Sequence, residues 1–169
     1  MSPSAAVALA ATVRAAVAAV PDPEIPVVTI EDLGILRDVT VAEDGRVEVT
    51  LTPTYSGCPA VDAIQAEVER VLAEQGFAEA TVRTVLAPAW TTDWISDEGR
   101  RKLADFGIAP PARCGGAGGA GGVAAVELVR CPQCGSADTR LLSRFGSTAC
   151  KALRVCNRCR EPFDHFKPL

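Results

Sequence analysis

The sequence predicts an α+β protein: a small three-stranded sheet with helices, followed by a small all-β ribbon held by metal. Three observations predict it. Val47, Val49 and Leu51 alternate with Glu48, Thr50 and Thr52 behind an Asp-Gly turn pair, the pattern of a half-buried strand in a hairpin, with the first set inward and the second outward. Val61, Ile64, Val68, Val71 and Leu72 recur at helical spacing directly after Pro59. Cys131-Pro-Gln-Cys134 and Cys156-Asn-Arg-Cys159 are two paired-cysteine knuckles with 21 residues between Cys134 and Cys156, close to the spacing of a four-cysteine zinc ribbon.

In chain order, Ser4 to Val20 is alanine-rich, carries Arg14 and lacks the bulk of a membrane span. No basic leading segment or clear cleavage site marks a secretion signal, so a cytoplasmic location is expected. The segment reads as a helix packing Val13, Val17 and Val20 on the domain. Pro21-Asp-Pro-Glu-Ile-Pro26 then bars helix and forms a stiff connector, with Asp22 and Glu24 fixed in place or simply part of a rigid turn. Thr29 to Gly34 is a short turn closed by Gly34. Ile35 to Ala42 and Val47 to Leu51 are the hairpin strands, around the loop Glu43–Arg46. The helix runs from Pro59 to about Gln75 and stops at Gly76. Thr81 to Leu86 is a third strand whose direction the pattern leaves open. Both tryptophans lie in Pro88–Ile95 and are expected to cap a core. Ser96 is the N-cap of a short helix through Phe106, with Asp97 and Glu98 in its first turn.

Residues 1–111 thus form the first domain. Residues 112–125 form a flexible linker, with Gly115, Gly116, Gly118, Gly119, Gly121 and Gly122 offering no side chains to bury. Residues 126–169 form the ribbon, with strands expected at Thr139–Arg144, Leu153–Val155 and Phe163–Lys167.

Charged residues at 22% and hydrophobic residues at 48% describe a folded globular chain of 169 residues, although alanine inflates the apolar share. Charge is uneven. Met1 to Ala112 carries 8 basic and 17 acidic residues, and Arg113 to Leu169 carries 9 and 4. Four metal-bound thiolates and one divalent ion would subtract two charges, leaving a modest basic excess in the tail. An acidic protein partner, or the chain's own acidic domain, suits that tail; nucleic acid rests on composition alone and is not expected, and neither is a membrane partner.

Five of the seven cysteines lie between Cys131 and Cys159, and in a cytoplasmic chain this indicates metal or thiol chemistry more than disulfides. Two intervening residues let one tight turn aim both sulfurs at a common ion, and two such turns complete a tetrahedron. Cys131, Cys134, Cys156 and Cys159 are therefore the candidate metal ligands. A segment of about 40 residues has little core of its own, so metal must supply much of its folding energy. Zinc in a structural role is expected, while four thiolates also suit iron or a cluster. Cys150, His165 and the linker residue Cys114 are read as structural or incidental. Cys58 is different: as the N-cap of a helix starting at Pro59, its sulfur would lie at the positive end of the helix dipole and favour the thiolate. A small buried apolar residue is the other reading of Cys58, and both stay open.

Several stretches together resemble known families. PDPEIP at Pro21–Pro26, DLG at Asp32–Gly34 and TPTYSGCPA at Thr52–Ala60 resemble the small domain of iron–sulfur assembly factors of the SufT/MIP type. That resemblance implies an acidic pair, Asp22 and Glu24, and a reactive cysteine, Cys58, able to hold a transient iron or iron–sulfur cluster. APAWTTDWI at Ala87–Ile95, FGSTACKAL at Phe145–Leu153 and EPFDHFK at Glu161–Lys167 resemble the phenylacetate-degradation D family, which accompanies the multicomponent phenylacetyl-CoA epoxidase. This chain departs from the family at His165, where a tyrosine is usual, and at its end, where Pro168 and Leu169 replace a further cysteine.

The resemblance implies an accessory maturation factor, with the oxygenase or reductase subunits of the epoxidase system as partners. A non-catalytic scaffold subunit is the alternative, and self-association as a homodimer is left open. Catalysis by Cys58 as a nucleophile ranks last, because the only histidine lies in the other domain.

Overall fold

The computed structural model describes residues 3–112 and 128–168. Cys114 and nearly all of the expected linker lie outside the described residues. The chain divides into two compact units, Met1–Trp90 and Thr91–Leu169.

The first unit opens with helix α1, Pro3–Ala18, which buries Val13 and Val17, with Val20 buried just beyond it. The proline-rich connector folds back on itself: Asp22 N–H donates to Val28 C=O and Ile30 N–H to Val20 C=O, both at 2.9 Å. Strands β1, Leu36–Val41, and β2, Val47–Leu51, form the antiparallel hairpin. Its turn uses Gly45 at φ 88°, a conformation only glycine adopts without strain. Strand β3, Thr81–Thr84, pairs with β2 in parallel, giving the order β1-β2-β3. Parallel neighbours need a crossover, and helix α2, Ala60–Glu74, supplies it.

Helix α2 buries Ala60, Ile64, Val68 and Leu72, whereas Val61 and Val71 are only half-buried at the edge of its apolar stripe. Each fully buried Val or Leu stabilises by roughly 1.5–3 kcal/mol relative to exposure. The helix ends in a Schellman motif: Gly76, at φ 90°, donates to Ala73 C=O and Phe77 N–H donates to Leu72 C=O.

Two expectations from the sequence need correction here. The helix begins at Ala60, not Pro59, which occupies the capping position with already helical angles of φ −67° and ψ −19°. Val61 N–H reaches the Cys58 carbonyl at 3.2 Å, a tight three-residue first turn that shifts the start. Thr52, expected outward, is buried. It follows the last ladder residue and donates its N–H to Ile35 C=O at 2.9 Å, which draws it beneath the loop that starts there.

The second unit begins with a 3₁₀ turn at Thr92–Trp94 and helix α3, Asp97–Asp105. Ser96 caps α3, its side chain accepting from Gly99 N–H at 2.9 Å. Strands β4, Ile108–Ala109, β5, Thr139–Ser143, β6, Lys151–Cys156, and β7, Pro162–Phe166, form a sheet of order β4-β7-β6-β5. The sequence pattern attaches α3 to the first domain and shows no strand at Ile108. In the structure both α3 and β4 belong to the second unit, because β4 pairs in parallel with β7. A two-residue strand is too short to show a period. Arg100 secures this segment by donating to the carbonyls of Thr92 and Pro111. Among the described residues, no helix is long and apolar enough to cross a membrane.

Candidate functional site

The four knuckle cysteines converge. Their sulfurs all lie within 4.8 Å of one another. Cys131 and Cys159 Sγ are 3.7 Å apart, and Cys134 and Cys156 Sγ are 3.6 Å apart. A tetrahedron with metal–sulfur bonds of about 2.3 Å has edges of about 3.8 Å, so the spacing suits one ion.

The two knuckles are built alike. Gly135 N–H donates to Cys131 C=O at 2.8 Å, and Arg160 N–H to Cys156 C=O at 3.0 Å. Cys131 N–H donates to Ser136 C=O, and Cys156 N–H to Glu161 C=O. Both turns close through a left-handed residue, Gly135 at φ 71° and Arg160 at φ 69°. Cys131 and Cys156 form a buried cluster with Ala109, Val129 and Phe163, so β4 and β7 wall the site.

The clustered thiols do not ionise alike. The Cys159 backbone N–H, helped by that of Arg158, holds the Cys156 thiol down at about 6. Cys159 goes the other way: against the pull of the Glu161 backbone N–H, burial and the neighbouring sulfurs push it up to about 12. Once one sulfur in the cluster is ionised, a second negative charge beside it is disfavoured unless a positive ion sits between them. Cys150 and His165 are buried but stand outside this group among the described residues. Cys150 Sγ lies 3.0 Å from Thr148 Oγ1.

Cys58 occupies the loop between β2 and α2 in the first unit and is half-buried, neither sealed among hydrocarbon nor fully exposed. No side chain caps α2, so the start of that helix is left to backbone groups. Asp22 is buried, and its Oδ1 accepts from Glu24 N–H at 2.9 Å and Ile25 N–H at 2.8 Å. Its carboxylate thereby builds the turn that carries Glu24, which is itself half-buried. Asp32 and Thr29 cap one another across the next turn, Oδ2 accepting from Thr29 N–H and Oγ1 from Asp32 N–H.

Thr52 is buried where the strand alternation predicts it outward. Its hydroxyl is buried without a hydrogen-bond partner among the described residues. It lines a cavity of about 210 Å³ together with Thr54, Tyr55, Leu86 and Trp90. A threonine at a strand end carries no periodic signal that would have revealed this.

Comparison with known proteins gives a consistent picture. Residues 10–86 match the model of the iron-sulfur cluster assembly protein family, and residues 119–167 match the PaaD zinc beta ribbon domain. The chain is 48% identical over 148 residues to an Escherichia coli (strain K12) protein provisionally named as a subunit of 1,2-phenylacetyl-CoA epoxidase, covering 88% of this chain and 86% of that one. It is 39% identical over 90 residues to the Fe-S protein maturation auxiliary factor YitW of Bacillus subtilis (strain 168), covering 53% of this chain and 87% of the relative. A crystal structure of a domain of unknown function, DUF59, from Bacillus anthracis superposes with a TM-score of 0.56 at 31% identity, over 60% of this chain and 97% of that one.

Proposed function

This chain belongs to the phenylacetate-degradation D family, an iron–sulfur assembly domain joined to a zinc ribbon, and on that premise we propose that it is an accessory maturation factor of a phenylacetyl-CoA epoxidase system. Cys58 receives iron or an iron–sulfur cluster as cargo and hands it on to a reductase or oxygenase subunit. The single observation that carries this reading is the half-buried thiol of Cys58, outside the closed four-sulfur site, in the loop of the assembly domain. One sulfur with weak oxygen ligands releases what it holds, which a carrier requires. Asp22 and Glu24 take the oxygen side, Asp22 through the turn that its carboxylate builds.

The ribbon has a different task. Cys131, Cys134, Cys156 and Cys159 hold a zinc ion; bound there, zinc supplies folding energy and offers no open position to a substrate. The ribbon then serves as the docking module for the client.

Reconstitution of the epoxidase system with Cys58→Ser tests the carrier role, together with metal analysis of protein purified without oxygen. Wild type and variant should each hold about one zinc, as one closed four-thiolate site requires, and only wild type should hold labile iron. Normal cluster formation and turnover with Cys58→Ser would overturn it. The provisional name of the Escherichia coli relative, which calls it a subunit, favours a second reading as a stoichiometric scaffold. Stable co-purification with the oxygenase subunits, unaffected by Cys58→Ser, would support that reading instead.

A further inference from the structure

The ribbon carries a second feature that the four cysteines do not use. One face of the ribbon sheet opens into a cavity of about 300 Å³. Leu141 of β5, Ala152 of β6 and Phe145 from the β5–β6 loop give it apolar walls; Arg144, Arg154 and Lys167 give it cations. Register explains the grouping. Leu141 pairs with Arg154, and Ala152 with His165, so these side chains share a face. Leu141 and Phe145 remain 45% and 68% exposed, a large apolar area to leave in water beside charge.

The cations are the telling part. Five arginines elsewhere are matched by acids: Arg14 by Glu31, Arg46 by Asp44, Arg70 by Glu67 and Glu74, Arg83 by Glu48, Arg101 by Glu98 and Asp105. In the ribbon, Arg144, Arg154 and Lys167 join no ion pair among the described residues. The acid–base pair that the described ribbon does hold, Lys151 with Asp164, lies on the opposite face of β6 and β7.

We propose that this face binds an acidic protein segment that inserts one large apolar side chain against Leu141 and Phe145, its carboxylates meeting Arg144, Arg154 and Lys167. This rests on the reading of the ribbon as a docking module and names the chemistry of its partner. The cavity is at the small end for a ligand pocket, about 300–1,000 Å³, and suits a side chain better than a whole cofactor. Nucleic acid fits less well. A run of stacked bases needs several aromatic rings, and Phe145 is the one phenylalanine, tyrosine or tryptophan in this lining.

The test uses the full zinc-loaded chain and fluorescence anisotropy with a labelled peptide of Asp and Glu residues around one leucine. Binding should weaken at least about tenfold when the leucine becomes alanine, and similarly in Phe145→Ser or Arg144→Glu. It should fade with added salt and vanish when the acids become lysines. Leu142→Ser, exposed but outside the cavity lining, should bind as wild type does. Zinc content and circular dichroism establish that the variants are folded. Cys58→Ser should bind the peptide normally, so loss of iron delivery and loss of docking are separate outcomes. Three results would overturn the proposal: no peptide binding, binding indifferent to both cavity variants, or tighter binding of a single-stranded oligonucleotide at the same face. Sedimentation showing self-association that Phe145→Ser abolishes would also overturn it, by making a second copy the occupant.

Discussion

Trp90 donates its indole N–H to the backbone carbonyl of Leu33 at 2.9 Å, and both residues are buried. The bond joins the segment after β3 to the turn that precedes β1, and the same indole lines the cavity that receives Thr52. Trp90→Phe keeps most of the apolar surface but leaves that buried carbonyl short of a donor. A loss of about 1–3 kcal/mol is expected, read as a lower urea midpoint at unchanged slope. A midpoint equal to wild type would mean that water replaces the indole.

The Lys151–Asp164 pair, at 3.4 Å, places an almost fully buried ammonium beside a less buried carboxylate. Removing one partner strands a charge, so Asp164→Ala should destabilise the ribbon by about 3–5 kcal/mol. Replacing both partners, Lys151→Met with Asp164→Leu, leaves no stranded charge and should be near neutral. Urea unfolding followed by circular dichroism distinguishes the two. Equal losses would show that packing, not charge pairing, sets the value of this contact.

Acid should strip the metal. The Cys156 thiol is held down at about 6 by the backbone N–H groups of Cys159 and Arg158, below its usual value. For a lowered pKa the ionised form stabilises the fold at high pH, and that contribution is lost as pH falls through the folded value. Protons compete with zinc for the four thiolates, so acid should release the zinc, with the ribbon losing structure as it leaves. A zinc-sensitive dye across a pH series checks this. Release beginning on the alkaline side would have the wrong sign.

Arg160 takes a left-handed conformation at φ 69°, where the equivalent turn of the first knuckle uses Gly135. That conformation costs a non-glycine residue about 1–2 kcal/mol. Arg160→Gly should relieve it, less the entropy that glycine adds to the unfolded chain. The expected net is a stabilisation of some tenths of a kcal/mol up to about 1, seen as zinc retained at higher chelator concentration.

The hairpin, helix α2 and the grouping of the four knuckle cysteines were legible from the order of residues alone. Each rests on local physics: Val47–Leu51 alternate at the period of a strand, Ile64, Val68 and Leu72 repeat at that of a helix, and a knuckle is closed within a few residues. The features that needed the folded chain involve partners distant along it. The direction of β3 follows from its pairing with β2, and Ile108–Ala109 become a strand only because β7 offers an edge. The burial of Thr52 and the grouping of cations around Phe145 likewise depend on which segments meet. A residue's period along the chain says which way it faces within its element; it does not say what stands opposite.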